Sequence, residues 1–148
     1  MKIAIVGLGL MGGSFAKAIS ANTCHQVLGL DRDSETIRLA LASGAISQAI
    51  SPAELEQADA CLVCLFPQQT IDFLLQRRQH FRPGAILADI CGVKQAVIDQ
   101  VDLPLQQAGV QFIGTHPMAG RECSGFVSAR AGLFAGASWI VTPTNRTS

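Results

Sequence analysis

The sequence predicts an α/β fold, a doubly wound and mostly parallel sheet, and three observations predict it. Short apolar runs alternate with segments of helical periodicity along the 148 residues. The apolar fraction is 49% and the mean hydropathy +0.33, yet no apolar run approaches the roughly 18 residues that cross a bilayer. Strands buried on both faces of a helix-covered sheet give that composition, because they read as continuous hydrophobic runs. Third, a glycine-rich turn separates the first strand from the first helix. A chain of this length fits one domain and buries a core without disulfide or metal staples.

The elements follow in order. Residues 2–6 form an apolar strand, and residues 10–21 a helix with apolar positions at helical spacing. A second strand, 26–30, closes on Asp31. Ser34 is expected to cap a helix reaching Ala42, with Gly44 ending it. Residues 45–50 read as a short strand. Ser51-Pro52-Ala53-Glu54 combines a cap, a proline at the first helical position and an acid three residues past the serine. Residues 60–65 are the next strand and 69–80 the next helix. Arg82-Pro83-Gly84 turns the chain into a strand at 85–89. A helix around 94–101, a strand at 111–114, a long loop and a last strand at 137–141 complete the pattern.

Charge and cysteine usage exclude several classes. Eleven basic and eleven acidic residues leave no net field to attract nucleic acid or anionic lipid, so neither is expected as a partner. Met1 to Val6 run straight into a strand, and no signal peptide is expected. The five cysteines are odd in number and irregularly spaced, which argues against a disulfide framework and fits a reducing cytoplasm. Cys61 and Cys64 form a CxxC, but they sit in an apolar strand where side chains three apart face opposite sides. They read as core residues, and no metal site is expected.

Chemistry begins at Gly7-Leu8-Gly9-Leu10-Met11-Gly12. A GxGxxG gains weight when it follows a strand and opens a helix, as it does here. Gly7 permits the tight turn, Gly9 lets the backbone approach a pyrophosphate, and Gly12 lets helix and strand pack closely. The helix N-terminus offers free N–H groups and a partial positive charge to the phosphates. This is the cofactor loop of a Rossmann-type NAD(P)-binding domain. Asp31 lies about 20 residues further on, where an acid accepts hydrogen bonds from the adenosine ribose. A carboxylate there repels a 2′-phosphate, so NAD is expected rather than NADP. Arg32 pulls the other way, since it is able to pair with such a phosphate or stack on adenine; its alternative is a solvated surface charge. The strand ends near Leu65, Pro67 and Ile90 should line the same crevice. Pro67 either shapes a turn beside the nicotinamide ribose or simply starts a helix.

The segment Phe112-Ile113-Gly114-Thr115-His116-Pro117-Met118-Ala119-Gly120 closely resembles a signature of the prephenate/arogenate dehydrogenase family. Gly7-Leu8-Gly9-Leu10-Met11-Gly12-Gly13-Ser14, Asp89-Ile90-Cys91-Gly92-Val93-Lys94, Leu133-Phe134 and Thr142-Pro143 agree with the same family. The resemblance implies an NAD-dependent oxidative decarboxylation in tyrosine biosynthesis. Prephenate would become 4-hydroxyphenylpyruvate, or arogenate would become tyrosine. It implies that His116 is catalytic, and a histidine is the side chain suited to take the ring hydroxyl's proton near neutrality. His25 and His80 read as surface residues.

Cys91 stands where many members of the family carry a serine that orients the histidine and the substrate. A thiol is a weaker donor, so Cys91 performs that task poorly, or Thr115 or a water takes it over. It is not read as a nucleophile. Lys94 steadies its loop, favours the substrate's negative charge, or is a solvated helix lysine. Residues 1–144 are expected to be the dinucleotide-binding domain. Residues 145–148 are expected to begin a linker to a helical dimerisation domain, which in the family forms a homodimer and supplies an arginine to a prephenate carboxylate. Little turnover is expected from these residues alone. Two other classes fit parts of the pattern: another dehydrogenase of short-chain acids or imines, and a non-catalytic NAD-binding regulatory module.

Overall fold

Lys2–Val6 forms β1 at the centre of the sheet, and its side chains alternate between two cores. Ala4 and Val6 join one cluster of buried residues and Ile5 the other, as the two-residue period of a strand requires. The computed structural model describes residues 1–142 and 144. Residues 145–148, where the sequence places the start of a linker, lie outside the described residues.

The elements are β1, α1 (Leu10–Asn22), β2 (Gln26–Leu30), α2 (Ser34–Ala42), β3 (Gln48–Ala49), β4 (Ala60–Val63), α3 (Pro67–Arg77), β5 (Ile86–Asp89), α4 (Lys94–Gln107), β6 (Gln111–Pro117) and β7 (Trp139–Thr142). They build a seven-stranded sheet in the order β3-β2-β1-β4-β5-β6-β7. Every neighbouring pair is parallel except β6 with β7. The chain first winds outward from β1 to β3, then returns to the other side of β1 and winds outward again. That reversal makes the sheet doubly wound and opens a crevice between β1 and β4.

The two faces are covered by different helices. Phe15 and Ala16 of α1 and Ala40 of α2 pack with Ile5, Val27 and Leu62. Leu74 of α3 and Val97, Val101 and Leu105 of α4 pack with Val63, Leu87 and Phe112 on the opposite face. Each such side chain contributes roughly 1.5–3 kcal/mol by leaving water. Cys61 belongs to the second face and Cys64 packs against the first, so the CxxC pair is split across the sheet as its spacing predicts.

Several boundaries differ from the sequence expectation, each for a local reason. The cap of α2 is Asp33 rather than Ser34: the Asp33 carboxylate accepts the N–H groups of Glu35 and Thr36. Residues 45–50 give only the two-residue β3, because Ala45 and Ile46 are buried as plugs under β2. The motif at Ser51 opens a 3₁₀ turn, Pro52–Gln57, with the Glu54 carboxylate accepting from the Ser51 N–H and hydroxyl. The helix expected at 69–80 begins at Pro67, ends at Arg77 and tightens to a 3₁₀ turn at Arg78–His80. Helix α4 passes Pro104 and ends at Gln107, since Leu105 continues the buried stripe of Val97 and Val101. β6 runs on to Pro117 because its last residues pair with β7. His25 and His80 are half-buried rather than on the surface, with Nδ1 of each shielded from solvent. No helix of the described residues is long and apolar enough to cross a membrane.

Candidate functional site

The chain leaves β1 through Gly7, whose φ of 84° lies in the left-handed region that residues with a Cβ avoid. A Cβ at Gly12 would fall 1.8 Å from the Gly7 carbonyl oxygen. Helix α1 therefore sits against the loop only because residue 12 has no side chain. Gly9 is different: a Cβ there would meet no atom within 4 Å, since this residue borders open crevice. The first helical hydrogen bond runs from the Gly13 N–H to the Gly9 carbonyl at 2.9 Å. The N–H groups of Leu10, Met11 and Gly12 precede it and have no partner within an α-helix. Together with the helix dipole they could hold an anionic phosphate.

Asp31 ends β2 beside this loop. Its Oδ2 accepts the Leu8 N–H at 2.7 Å and its Oδ1 accepts the Asp33 N–H at 2.9 Å. Each carboxylate oxygen carries a second lone pair, so ribose hydroxyls still find acceptors there. The acid thus fixes the loop and faces the crevice at once.

The crevice has a volume of about 1050 Å³ and lies at the carboxyl ends of the strands, where open α/β sheets bind ligands. It brings together Gly7, Gly9, Leu10, Met11 and Gly12 of the loop with Asp31 and Arg32. Leu65 and Pro67 after β4, and Ile90 and Cys91 after β5, complete the wall. Leu8 departs from the expectation: its side chain is fully buried in the core and its N–H is committed to Asp31. Pro67 is the first residue of α3 and also lines the crevice.

Sequence reasoning missed one wall and a closing loop. Gln69, Asp72, Phe73, Gln76 and Arg77 present one face of α3 to the crevice. The signal was available, because these residues recur at three- and four-residue steps along α3. Cys123, Ser124 and Gly125 close the crevice from the loop between β6 and β7. That approach is a product of tertiary folding, and local sequence carries no trace of it.

His116 is not among the residues that line the crevice; it lies in β6 rather than beyond a strand end, behind Gly92, which does line it. Its Nδ1 lies 2.9 Å from the Ile90 carbonyl. A carbonyl only accepts, so Nδ1 carries the hydrogen, and the neutral ring keeps its lone pair on Nε2. A Cβ at Gly92 would lie 3.5 Å from His116 Cε1 and 3.7 Å from Nε2, so the glycine leaves that side of the ring uncovered. Neither residue considered as an orienting partner bonds the imidazole. The Cys91 thiol reaches the Leu65 carbonyl and the Thr70 hydroxyl, and the Thr115 hydroxyl donates to the Asp89 carbonyl. The Ile90 carbonyl takes the orienting position instead. Burial pushes the Cys91 thiol up from its ordinary range, which keeps it protonated and unreactive at neutral pH. Lys94 is no solvated lysine: it forms an ion pair with the buried Asp89.

The switch-point crevice, the glycine loop on a helix N-terminus and the acid closing β2 define a Rossmann-type dinucleotide-binding domain. Residues 15–148 match the family described as the nucleotide-binding domain of prephenate dehydrogenase, and the chain belongs to that family. It is 33% identical over 150 residues to prephenate dehydrogenase of Bacillus subtilis, covering 98% of this chain and 40% of that protein. It is 31% identical over 144 residues to the enzyme of Lactococcus lactis, with 95% and 40% covered. Among solved structures, arogenate dehydrogenase of Synechocystis superposes with a TM-score of 0.90 at 32% identity, covering 100% of this chain and 52% of that one. Prephenate dehydrogenase of A. aeolicus, in complex with hydroxyphenyl propionate and NAD+, gives 0.91 at 28% identity with the same coverage. The chain spans about 40% of the length of the curated relatives it matches.

Proposed function

We propose that this chain is the NAD-binding half of a prephenate dehydrogenase, with His116 as the base for the oxidation. The observation that carries the reading is the His116 ring, held through Nδ1 by the Ile90 carbonyl and packed beside Gly92, with Ile90 and Gly92 both lining the glycine-loop crevice. NAD, when bound, accepts the hydride from the ring carbon that bears the substrate hydroxyl. The cradle at Leu10–Gly12 would take the pyrophosphate, and Asp31 the adenosine ribose. Leu65, Pro67 and Ile90 would flank the nicotinamide end. His116 Nε2 would accept the hydroxyl proton as the hydride leaves. The carbon–carboxyl bond then breaks, its electron pair entering the ring, CO2 departs, and the oxygen regains a proton as the phenol of 4-hydroxyphenylpyruvate forms. Cys91 would line the pocket beside these groups without a covalent step.

The carboxylate of Asp31, set where a 2′-phosphate would sit, supports NAD over NADP. The balanced charge of the chain supports a protein that binds neither nucleic acid nor membrane, and its odd number of irregularly spaced cysteines supports a reducing cytoplasm. The family supports a homodimer formed through a domain beyond residue 144. Arogenate is a second reading of the substrate, favoured by the likeness to the Synechocystis enzyme.

Calorimetric titration tests the cofactor reading: NAD is expected to bind more tightly than NADP, and the opposite order would overturn it. Turnover tests the rest. In the full protein carrying this domain, His116→Asn should lower kcat by about 10²–10⁴-fold, the usual worth of a general base, while NAD affinity stays nearly unchanged. Normal turnover by that variant would remove His116 from the mechanism. Parallel assays with prephenate and arogenate separate the two substrates. The 148-residue chain alone is expected to form little or no NADH from prephenate.

A further inference from the structure

Asp89 is the last residue of β5 and is fully buried. Its Oδ2 accepts the Cys91 N–H at 3.0 Å and the Lys94 ammonium at 2.5 Å, and its Oδ1 accepts the Thr115 N–H at 3.2 Å. Its own carbonyl accepts the Thr115 hydroxyl. One side chain therefore ties together the loop after β5, the first turn of α4, and β6 one residue before His116. The carbonyl that holds His116 Nδ1 belongs to Ile90, between the two anchored residues of that loop.

We propose that the Asp89–Lys94 ion pair is a positioning device: it holds the Ile90 carbonyl against Nδ1 and so selects the His116 tautomer whose Nε2 is the free acceptor. Lys94 is a positioning residue, its ammonium turned to the buried Asp89 carboxylate. The two side chains are 13% and 0% exposed. A buried pair of this kind contributes little net stability, because desolvation opposes the attraction, yet removing one partner strands the other. Such a pair serves geometry better than it serves stability. β6 is shaped to admit it. A Cβ at Gly114 would lie 3.1 Å from Lys94 Cδ and 3.2 Å from Ile98 Cδ1, so the lysine stem crosses the strand where a side chain is missing. A histidine hydrogen-bonded through one ring nitrogen has its tautomer set by that bond, and the bond is only as fixed as its acceptor.

The catalytic meaning of this device rests on His116 being the base, but the tautomer is a property of the folded chain. The ring 15N shifts of His116 in the labelled 148-residue chain report it directly. The native chain, in its neutral-ring form, should show a single tautomer with the hydrogen on Nδ1. Lys94→Met should lose that single pattern and move both ring nitrogens toward the averaged shifts of free histidine. Gly114→Ala perturbs the same contact from β6, and carries the test if Lys94→Met does not fold. A merely structural pair would lower the melting temperature of these variants and leave the ring shifts alone. A native ring protonated on Nε2, or a folded variant with native ring shifts, would overturn the proposal. Normal turnover by His116→Asn would remove the base and leave the tautomer result standing, so the two readings fail separately.

Discussion

Two glycines of one loop separate binding from folding. A side chain at Gly9 meets no protein atom and projects where a phosphate would lie, so Gly9→Val should weaken NAD binding at least tenfold with little change in melting temperature. At Gly12 a Cβ strikes the Gly7 carbonyl, and Gly12→Ala should lose both binding and stability. Overpacking of this kind costs about 1–3 kcal/mol, or several degrees in a chain of this size. Titration and thermal melting of the two variants check the contrast. The cysteines give a second residue-scale test. Cys24 and Cys123 are exposed and should be alkylated first. Cys61 is buried, which pushes its thiol up to about 12, so it should react only on unfolding; Cys64 is half-buried and lines the crevice, and should react more slowly than the exposed pair. Because Cys123 borders the crevice, NAD should slow its labelling, which mass spectrometry of timed samples would show.

Elements were legible where hydrophobic period and end signals coincide. β1, β2 and the span of α2 match the sequence expectation, because each is bounded by a glycine, an acid or a change of period. The sequence expectation for α4 stops near residue 101, whereas the helix passes Pro104 and ends at Gln107, although a proline removes one helical hydrogen bond. The structure keeps that turn because Leu105 is wholly buried beneath it. Leu105→Ala should therefore cost about 2–5 kcal/mol, as a core truncation does, measured by denaturant unfolding; a surface-like change under 0.5 kcal/mol would show that the last turn carries no core. That the glycine loop and Asp31 meet in one crevice was readable for the same reason as β1: both are local signals. The face of α3 needed the phase set by Pro67, and Cys123–Gly125 needed the whole tertiary fold. The orienting role of the Ile90 carbonyl was invisible, because any residue there supplies the same backbone atom.

At the scale of the molecule, carboxylates tie distant segments to the sheet. Asp59 accepts the Lys2 N–H at 2.7 Å and pairs with Arg82 at 2.8 Å. The Lys2 hydrogen bond holds its carboxyl below the ordinary range. Asp33 is lowered chiefly by the Thr36 hydroxyl, and Glu54 chiefly by the Ser51 N–H. Each folded value lies below the unfolded one, near roughly 4. Their contribution is fully present above that pH and is lost as pH falls through the lowered folded values. Melting temperature should hold steady from neutrality to about pH 5, then fall in acid. Asp59→Asn should flatten part of that fall, and an unchanged acid limb would remove Asp59 from the account.

The chain contains one tryptophan, and β7 places it in an aromatic stack. The Trp139 ring lies 5.0 Å from Phe15, whose ring in turn stacks on Phe134 at 3.9 Å. Phe15 belongs to α1 and lies about one turn beyond Leu10–Gly12, the residues that would cradle a phosphate. The molecule thus has a native fluorophore, coupled mechanically to the helix that would receive the dinucleotide. Its emission spectrum reports the docking of the antiparallel edge strand, and its quenching by energy transfer to a reduced nicotinamide gives an optical readout of occupancy without any added dye.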